Sequence, residues 1–245
     1  MRSVHQSTAR EVAFTCIFAA VYALLSLWSL FPVIGAPGKF IALSSVIAPL
    51  MGVFLGSKVG LAAASIGGLI TSLTGNMGAF GPLSFVPGAS AALFSGLIRE
   101  GRRSEASVLY SVALVAFMFY PNSGPVWTFP PFLWLQVLCL FLVLSPVLPR
   151  VKAFLNGHES RRLMFAVAYV ALTSTLFSHI VGSLMFEATF NGSFTPGEWG
   201  LLWRSLMFVY PIERAIITAS STLIGLPLIK TLNSYTPMQR LNANP

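Results

Sequence analysis

The chain has 245 residues, of which 55% are hydrophobic and only 9% are charged, with a mean hydropathy of +0.77. A soluble domain carries about 25% charged residues, so this composition excludes a soluble fold and predicts an all-α polytopic membrane protein. The net charge of +8 could indicate nucleic acid binding, but the positive residues cluster beside apolar segments, so the lipid bilayer and not nucleic acid is the expected partner.

Eight apolar segments follow one another along the chain. They cover residues 12–33, 40–56, 59–75, 85–98, 106–120, 132–148, 163–186 and 199–229. Because a membrane span takes about 20 residues, these segments use up the length and leave no long soluble stretch. We therefore predict one integral membrane domain over residues 1–245, with a short basic flank at 1–11 and a cytoplasmic tail at 231–245.

The last apolar segment is too long for one span, and Pro211 divides it. Proline breaks or kinks a helix at the residue before it. The stretch from Pro211 to Lys230 then gives about 30 Å of helix, which is enough to cross the hydrocarbon core. The preceding residues 199–210 carry two tryptophans, a tyrosine and Arg204, a composition typical of a helix at the membrane interface.

These segments predict a compact bundle of six to eight transmembrane helices. Several of segments two to five are short, so six true spans with a re-entrant hairpin are the alternative to eight spans. Small residues are frequent in segments two to four, which predicts that helix backbones approach closely there.

Lysine and arginine occupy every second gap between the segments. These residues are Arg2, Arg10, Lys58, Arg99, Arg102, Arg103, Arg150, Lys152, Arg161, Arg162, Lys230 and Arg240, whereas the other gaps hold only Lys39. Short loops rich in positive charge remain in the cytoplasm. The pattern predicts a multi-pass protein of the cell membrane with both termini cytoplasmic. It also predicts that the loops rich in glycine, proline and aromatic residues lie outside.

Polar and aromatic residues converge on the predicted outer side. The candidate substrate-binding residues are Asn76, Asn122, Trp127, Glu187, Trp203, Arg204, Tyr210, Glu213 and Arg214. Tryptophan and tyrosine can stack on a ring while the polar groups fix its orientation, which suits a small aromatic or heterocyclic molecule. Ordinary alternatives exist, because the aromatic residues could form an interfacial belt and Glu213 could favourably begin a helix.

None of the common catalytic motifs occurs, so we expect no enzyme. The three histidines are not clustered and both cysteines lie in apolar segments, so we also expect no metal and no cofactor. An intramembrane enzyme acting on a lipid-linked substrate stays an alternative if His179, Glu187, Glu213 and Arg214 converge. A membrane assembly subunit without a ligand of its own is a further alternative.

A face of small residues runs along the first segment. Cys16, Ala19, Ala20 and Ala23 form pairs of small residues four positions apart, which suit close contact between helices. The contact could lie within the bundle or with another subunit.

Three stretches resemble the substrate-binding (S) components of energy-coupling factor (ECF) transporters. The opening REVAFTCIFAAVYALLSL is similar to their first helix, with Cys16 where alanine is usual. The stretch FIALSSVIAPLMGVFLGSKVGLAAASIGGLITSLTG is similar to their second and third helices. The stretch YPIERAIITASSTLIGLPLIKTL is similar to their last helix.

The resemblance implies a membrane-embedded substrate-binding subunit of a micronutrient or vitamin importer. S components have six helices, capture a small molecule from the outer face and have no ATPase of their own. They dock on a transmembrane coupling subunit bound to two ATPases through the small-residue face of the first helix, and they deliver substrate by toppling. The resemblance thus makes Cys16, Ala19, Ala20 and Ala23 a candidate docking surface. Eight apolar segments depart from the usual six helices, so no ligand residues are transferred.

Overall fold

Residues 2–75, 78–157 and 159–241 are described by the computed structural model, and helices dominate this part of the chain. The helices are α1 (Arg2–Ser26), α2 (Ala48–Leu55), α3 (Ser57–Leu73), α4 (Val86–Glu100), α5 (Arg103–Met118), α6 (Pro125–Thr128), α7 (Trp134–Leu144), α8 (Leu148–Leu155), α9 (Ser160–Thr189), α10 (Pro196–Leu206) and α11 (Val209–Leu241), with 3-10 turns at Leu43–Val46 and Pro130–Leu133. Two short strands, β1 (Ser29–Pro32) and β2 (Phe40–Ala42), pair antiparallel. This architecture fits the all-α membrane protein that the composition predicts.

Within the described ranges, two helices are long and apolar enough to cross a membrane, Ser160–Thr189 and Val209–Thr231. A third candidate is a bent pair, Pro130–Leu144 with Leu148–Leu155, whose axes differ by 71°. Shorter apolar helices lie in α1 and α3. The count of six to eight spans and the cytoplasmic termini therefore stay predictions.

Glycines allow the N-terminal helices to pack with their backbones in direct contact. A Cβ on Gly52 of α2 would lie 1.9 Å from the carbonyl oxygen of Ala92 in α4. A Cβ on Gly67 of α3 would lie 2.4 Å from the carbonyl oxygen of Ala19 in α1. No side chain fits at either point, so these contacts are the close packing that the small residues of this region predict.

A β-hairpin interrupts the first two apolar segments. Helix α1 ends at Ser26, and the turn between the strands contains Gly35 and Gly38, whose φ angles of +89° and +73° favour glycine. The prediction that the apolar segments 12–33 and 40–56 are spans, and so helical throughout, is wrong at this hairpin, because residues 29–32 and 40–42 are strands. Short apolar runs have similar composition in strands and helices, so periodicity alone does not separate them.

Helices α9 and α11 pack against each other in antiparallel orientation. The rings of His179 in α9 and Tyr210 in α11 lie 4.4 Å apart, centre to centre. Further along, a Cβ on Gly225 of α11 would lie 3.1 Å from Val167 of α9. Residue numbers therefore rise along one helix as they fall along the other. The two contacts define which residues of α9 lie beside which residues of α11.

The last apolar segment divides at residues 207–208, earlier than the predicted division at Pro211. Helix α11 begins at Val209, so Pro211 lies in its first turn. There, backbone N–H groups have no helical acceptor and proline is tolerated. The predicted interface helix at 199–210 corresponds to α10, which begins and ends slightly earlier.

Polar contacts join α3, α4 and α8 at one end of the bundle. The Glu100 carboxylate accepts hydrogen bonds from the backbone N–H and the hydroxyl of Ser57, at 2.6 and 2.9 Å. Lys152 Nζ donates to the Glu100 carbonyl oxygen at 2.8 Å, and Arg102 pairs with the Glu100 and Glu105 carboxylates. The connections after the second, fourth and sixth apolar segments, which carry positive charge, thus meet at one end of the bundle, in agreement with the alternation of charge along the sequence.

Candidate functional site

A cavity of about 230 Å³ lies between the two halves of the bundle. Its walls come from α1, α3 and α4 on one side and from α9, α10 and α11 on the other, and the β1–β2 hairpin borders it. Helix α3 lines it with residues near its C-terminal end, and α4 with residues near its N-terminal end. The cavity is therefore at the end of the bundle opposite to Ser57 and Glu100.

The walls of the cavity combine aromatic rings with hydroxyl groups. The rings include those of Tyr22, Phe85, Phe186, Trp203 and Tyr210. The hydroxyls include Ser44, Thr71, Ser72, Thr175 and Ser178. No carboxylate is among the described residues that line it, whereas Lys39 and Arg214 are. Apolar walls with a few placed polar groups are typical of sites for small molecules.

Three buried polar side chains face this cavity with unsatisfied hydrogen-bonding atoms. Thr175, His179 and Arg214 are 3%, 6% and 5% exposed and line the cavity. The Thr175 hydroxyl, both ring nitrogens of His179 and Arg214 Nε have no partner within the described chain. Because buried polar groups are nearly always hydrogen-bonded, these atoms suit a polar ligand or ordered water in the cavity.

Trp203 and Tyr210 form a fixed aromatic wall of the cavity. Trp203 Nε1 donates to the carbonyl oxygen of Ser123 at 2.8 Å, and its ring lies 4.9 Å from the ring of Phe132 and stacks on Trp199 at 5.5 Å. Tyr210 meets His179 edge-on at an interplanar angle of 76°. The neighbouring rings hold both side chains in place.

A capping box fixes the start of α10, the helix that carries Trp203. The Thr195 N–H donates to the Glu198 carboxylate at 2.7 Å, and the Glu198 N–H donates to the Thr195 hydroxyl. The hydrogen bond from the Thr195 backbone, followed by that from its hydroxyl, lowers the pKa of Glu198 below its usual value. This local contact therefore helps to position the aromatic wall.

Tyr22 of α1 reaches the cavity over a glycine of α4. A Cβ on Gly88 would lie 1.9 Å from the Tyr22 hydroxyl oxygen and 3.0 Å from its ring. The hydroxyl shares a hydrogen bond with the Ser44 side chain, which in turn accepts from Ser26 at 2.8 Å. The absence of a side chain at Gly88 thus allows this buried ring to line the cavity.

The structure brings together some of the predicted substrate-binding residues. Trp203, Tyr210 and Arg214 line the cavity. Glu213 does not line it, but its carboxylate contacts Arg214 Nη2 at 3.4 Å, and both side chains are buried. His179, which belongs to the alternative enzyme site, lines the same cavity.

Other predicted residues lie elsewhere. Asn122, Trp127 and Arg204 are exposed and are not among the cavity lining. Glu187 is fully buried in α9, away from the lining, and both carboxylate oxygens lack a hydrogen-bond partner within the described part of the chain. Asn76 lies outside the described residues.

Sequence reasoning missed the hydroxyl side chains of the cavity. Thr175 and Ser183 lie four residues before and after His179, Ser178 lies three residues after Thr175, and all three hydroxyl residues line the cavity from α9. A polar stripe of this period within an otherwise apolar helix is a signal that the sequence contains. The hairpin residues that line the cavity carry no such signal, because the two strands lie at the ends of apolar segments.

The four residues of the predicted docking surface divide between two environments. Cys16 and Ala20 are exposed on α1. Ala19 is buried against Gly67, and the carbonyl oxygen of the half-buried Ala23 accepts from the Thr71 hydroxyl at 3.3 Å. The small-residue face therefore serves internal packing on one side and remains exposed on the other.

The residues of the alternative enzyme site do not form a hydrogen-bonded acid–base pair in the described structure. Neither nitrogen of His179 contacts a carboxylate within hydrogen-bonding distance, and Glu187 has no partner. Glu213 contacts Arg214 instead. The geometry that general acid–base catalysis requires is not formed by these groups.

Comparison with known families finds one match. Residues 6–122 match the family described as ECF-type riboflavin transporter, S component. This range includes the first two of the three stretches that resemble S components, so the predicted resemblance is confirmed there. The family comprises membrane subunits of vitamin transporters and is not an enzyme family. The comparisons with curated proteins and with solved structures find no match.

Proposed function

We propose that the chain is the substrate-binding subunit of a vitamin importer and that its substrate is riboflavin or a closely related flavin. The cavity carries this proposal, because it combines aromatic walls, hydroxyl groups and three buried side chains with unpartnered polar atoms. Most of its described lining comes from the part of the chain that matches the riboflavin S-component family.

The shape of the cavity suits a flat ring with a polar tail. On α9 the lining extends from Thr175 to Phe186, which corresponds to about 16 Å along a helix at about 1.5 Å per residue. Riboflavin has a flat tricyclic ring and a polyhydroxylated side chain. Aromatic residues of the lining such as Phe85 can stack on the ring, and serine and threonine hydroxyls can bind the tail.

We further propose that the substrate enters from the outer side. The charge alternation predicts that Lys58, Arg102 and Lys152 are cytoplasmic, and the cavity is at the opposite end of the bundle from the Glu100 cluster. A cavity in this position is accessible to a nutrient that arrives from outside.

Delivery of the substrate requires a partner in this proposal. S components function with a membrane coupling subunit and two ATPases. The exposed residues Cys16 and Ala20 provide a surface on α1 where another helix can approach closely. The chain would therefore bind substrate without ATP and transport it only with its partners.

Titration of the purified full-length protein with riboflavin tests the proposal. We expect one riboflavin per chain and quenching of tryptophan fluorescence without ATP. Trp203→Phe should weaken binding about 10-fold, the equivalent of about 1.4 kcal/mol, because the smaller ring loosens the packed aromatic wall that shapes the cavity. Trp127→Phe is the matched control, since Trp127 is 62% exposed and outside the lining. A folded protein that binds no flavin would contradict the proposal.

A further inference from the structure

Four side chains form a patch where α9 and α11 face each other, and we call Thr175, His179, Tyr210 and Arg214 the polar floor. Thr175 and His179 are one turn apart on α9, and Tyr210 and Arg214 are one turn apart on α11. The two helices are antiparallel and His179 meets Tyr210. Thr175 and Arg214 therefore lie at the same height in the bundle, one helical turn away from the contact between His179 and Tyr210.

The polar floor presents a defined set of free donors and acceptors. Arg214 Nε offers one N–H donor, and the Thr175 hydroxyl can donate or accept. A neutral imidazole offers one donor and one acceptor, and both nitrogens of His179 lack partners within the described residues. All three side chains are more than nine-tenths buried, so leaving these atoms unpaired is costly.

The charge of Arg214 already has a counter-charge. The Glu213 carboxylate lies 3.4 Å from Arg214 Nη2, and both side chains are buried. An anionic ligand group would bring a second negative charge close to Glu213 in an apolar environment. The polar floor is therefore suited to a neutral group that has several hydrogen-bonding atoms on one edge.

We propose, on the basis of the proposed function, that the polar floor binds the pyrimidinedione edge of the flavin ring. This edge carries two carbonyl oxygens on either side of one N–H group. Arg214 Nε and the Thr175 hydroxyl donate to the carbonyl oxygens, and a ring nitrogen of His179 accepts from the N–H. These bonds satisfy the buried atoms that have no partner in the protein. The ring then extends toward Trp203.

This assignment makes the C-terminal half responsible for recognition of the ring edge. Thr175, His179 and Arg214 all lie outside residues 6–122, the range that matches the S-component family. They are therefore specificity residues that the family match does not identify.

A binding experiment with riboflavin and its N3-methyl derivative tests the assignment. The methyl group replaces the hydrogen of the flavin N–H, which can then no longer donate a hydrogen bond to His179. The wild-type protein should therefore bind the derivative at least about 10-fold more weakly. His179→Phe retains a ring beside Tyr210 and Phe132 but removes both nitrogens. This variant should bind riboflavin about 10-fold more weakly and should hardly distinguish the two ligands.

A pair of threonine variants on α9 provides an independent measurement. Thr175→Val removes the cavity hydroxyl and should weaken riboflavin binding about 10-fold. Thr173→Val makes the same change two residues away, where the buried hydroxyl donates to the Tyr169 carbonyl oxygen and does not line the cavity. Thr173→Val should leave affinity unchanged.

The outcomes separate this inference from the proposed function. If the wild-type protein binds riboflavin but Thr175→Val binds it as tightly as Thr173→Val does, the inference is overturned and the proposed function stands. Equal discrimination against the methylated ligand by wild type and a folded His179→Phe variant also overturns it. If the wild-type protein binds no riboflavin, the proposed function fails and the inference fails with it.

Discussion

Replacement of Gly88 by alanine provides a sharp test of the cavity geometry. The added Cβ would lie 1.9 Å from the Tyr22 hydroxyl oxygen, whereas an ordinary contact begins at 3.4 Å, so the oxygen has to move by about 1.5 Å. Tyr22 is buried and its hydroxyl is bonded to Ser44, so the ring cannot move without breaking that bond or entering the cavity. Overpacking of this kind costs about 1–3 kcal/mol.

We expect Gly88→Ala to weaken riboflavin binding by about 5- to 150-fold, which corresponds to about 1–3 kcal/mol. Isothermal titration calorimetry of the detergent-solubilised protein measures the change. Gly182→Ala is the matched control, because Gly182 also lines the cavity but its Cβ would meet Pro87 at 3.6 Å, an ordinary contact. This variant should bind as the wild type does.

A second substitution tests whether the Tyr22 hydroxyl causes the effect. Tyr22→Phe in the Gly88→Ala background removes the atom at 1.9 Å and leaves the ring carbon at 3.0 Å, so part of the affinity should return. If Gly88→Ala binds riboflavin with wild-type affinity, or if Gly182→Ala is equally impaired, Tyr22 does not form a fixed wall and the reasoning is refuted.

Two further predictions concern the partner surface and the start of α10. Ala20→Trp should abolish riboflavin uptake by cells that contain the coupling subunit and ATPases, while the purified protein still binds riboflavin, because Ala20 is exposed on α1. Val112→Trp, on the exposed side of α5, should affect neither uptake nor binding. Equal loss of uptake in both variants would refute this docking surface. Glu198→Gln should lower the melting temperature at pH 7, because the bonds from Thr195 hold the pKa of Glu198 below its unfolded value. That stabilisation is present above about pH 4.3 and is lost as pH falls through the folded pKa, so the difference from wild type should disappear in acid. A difference that persists in acid would contradict the assignment, and Glu11→Gln serves as the control.

The membrane character and the long helices were predictable from sequence. Apolar segments 106–120 and 163–186 correspond closely to α5 and α9, because each is a continuous apolar run bounded by polar residues. The close packing around Gly52 was also predictable, since small residues are required wherever helices approach without side chains between them.

Short and irregular elements were not predictable in the same way. The β-hairpin lies inside apolar runs, and its pairing depends on contacts between residues that composition does not relate. Pro211 was expected to end one helix and begin another. Its position in the first turn of α11 satisfies the same steric rule two residues after the helix start.

The candidate site shows the same division. The sequence identified Trp203, Tyr210 and Arg214 as polar or aromatic residues near the outer end, and all three line the cavity. It could not separate them from Trp127 and Arg204, which have the same chemistry and face outward. The direction of a side chain depends on helix rotation, which is decided by packing against other helices.

The sequence by itself determined that the chain is an apolar, helical membrane protein that resembles S components, because composition and local patterns carry that information. Only the tertiary structure decided that Thr175 and Arg214, 39 positions apart in the chain, face one cavity at the same level. The antiparallel register of α9 and α11 sets that proximity, and this register results from packing contacts such as that of His179 with Tyr210. Long-range contacts of this kind have no counterpart in the spacing of residues along a single sequence.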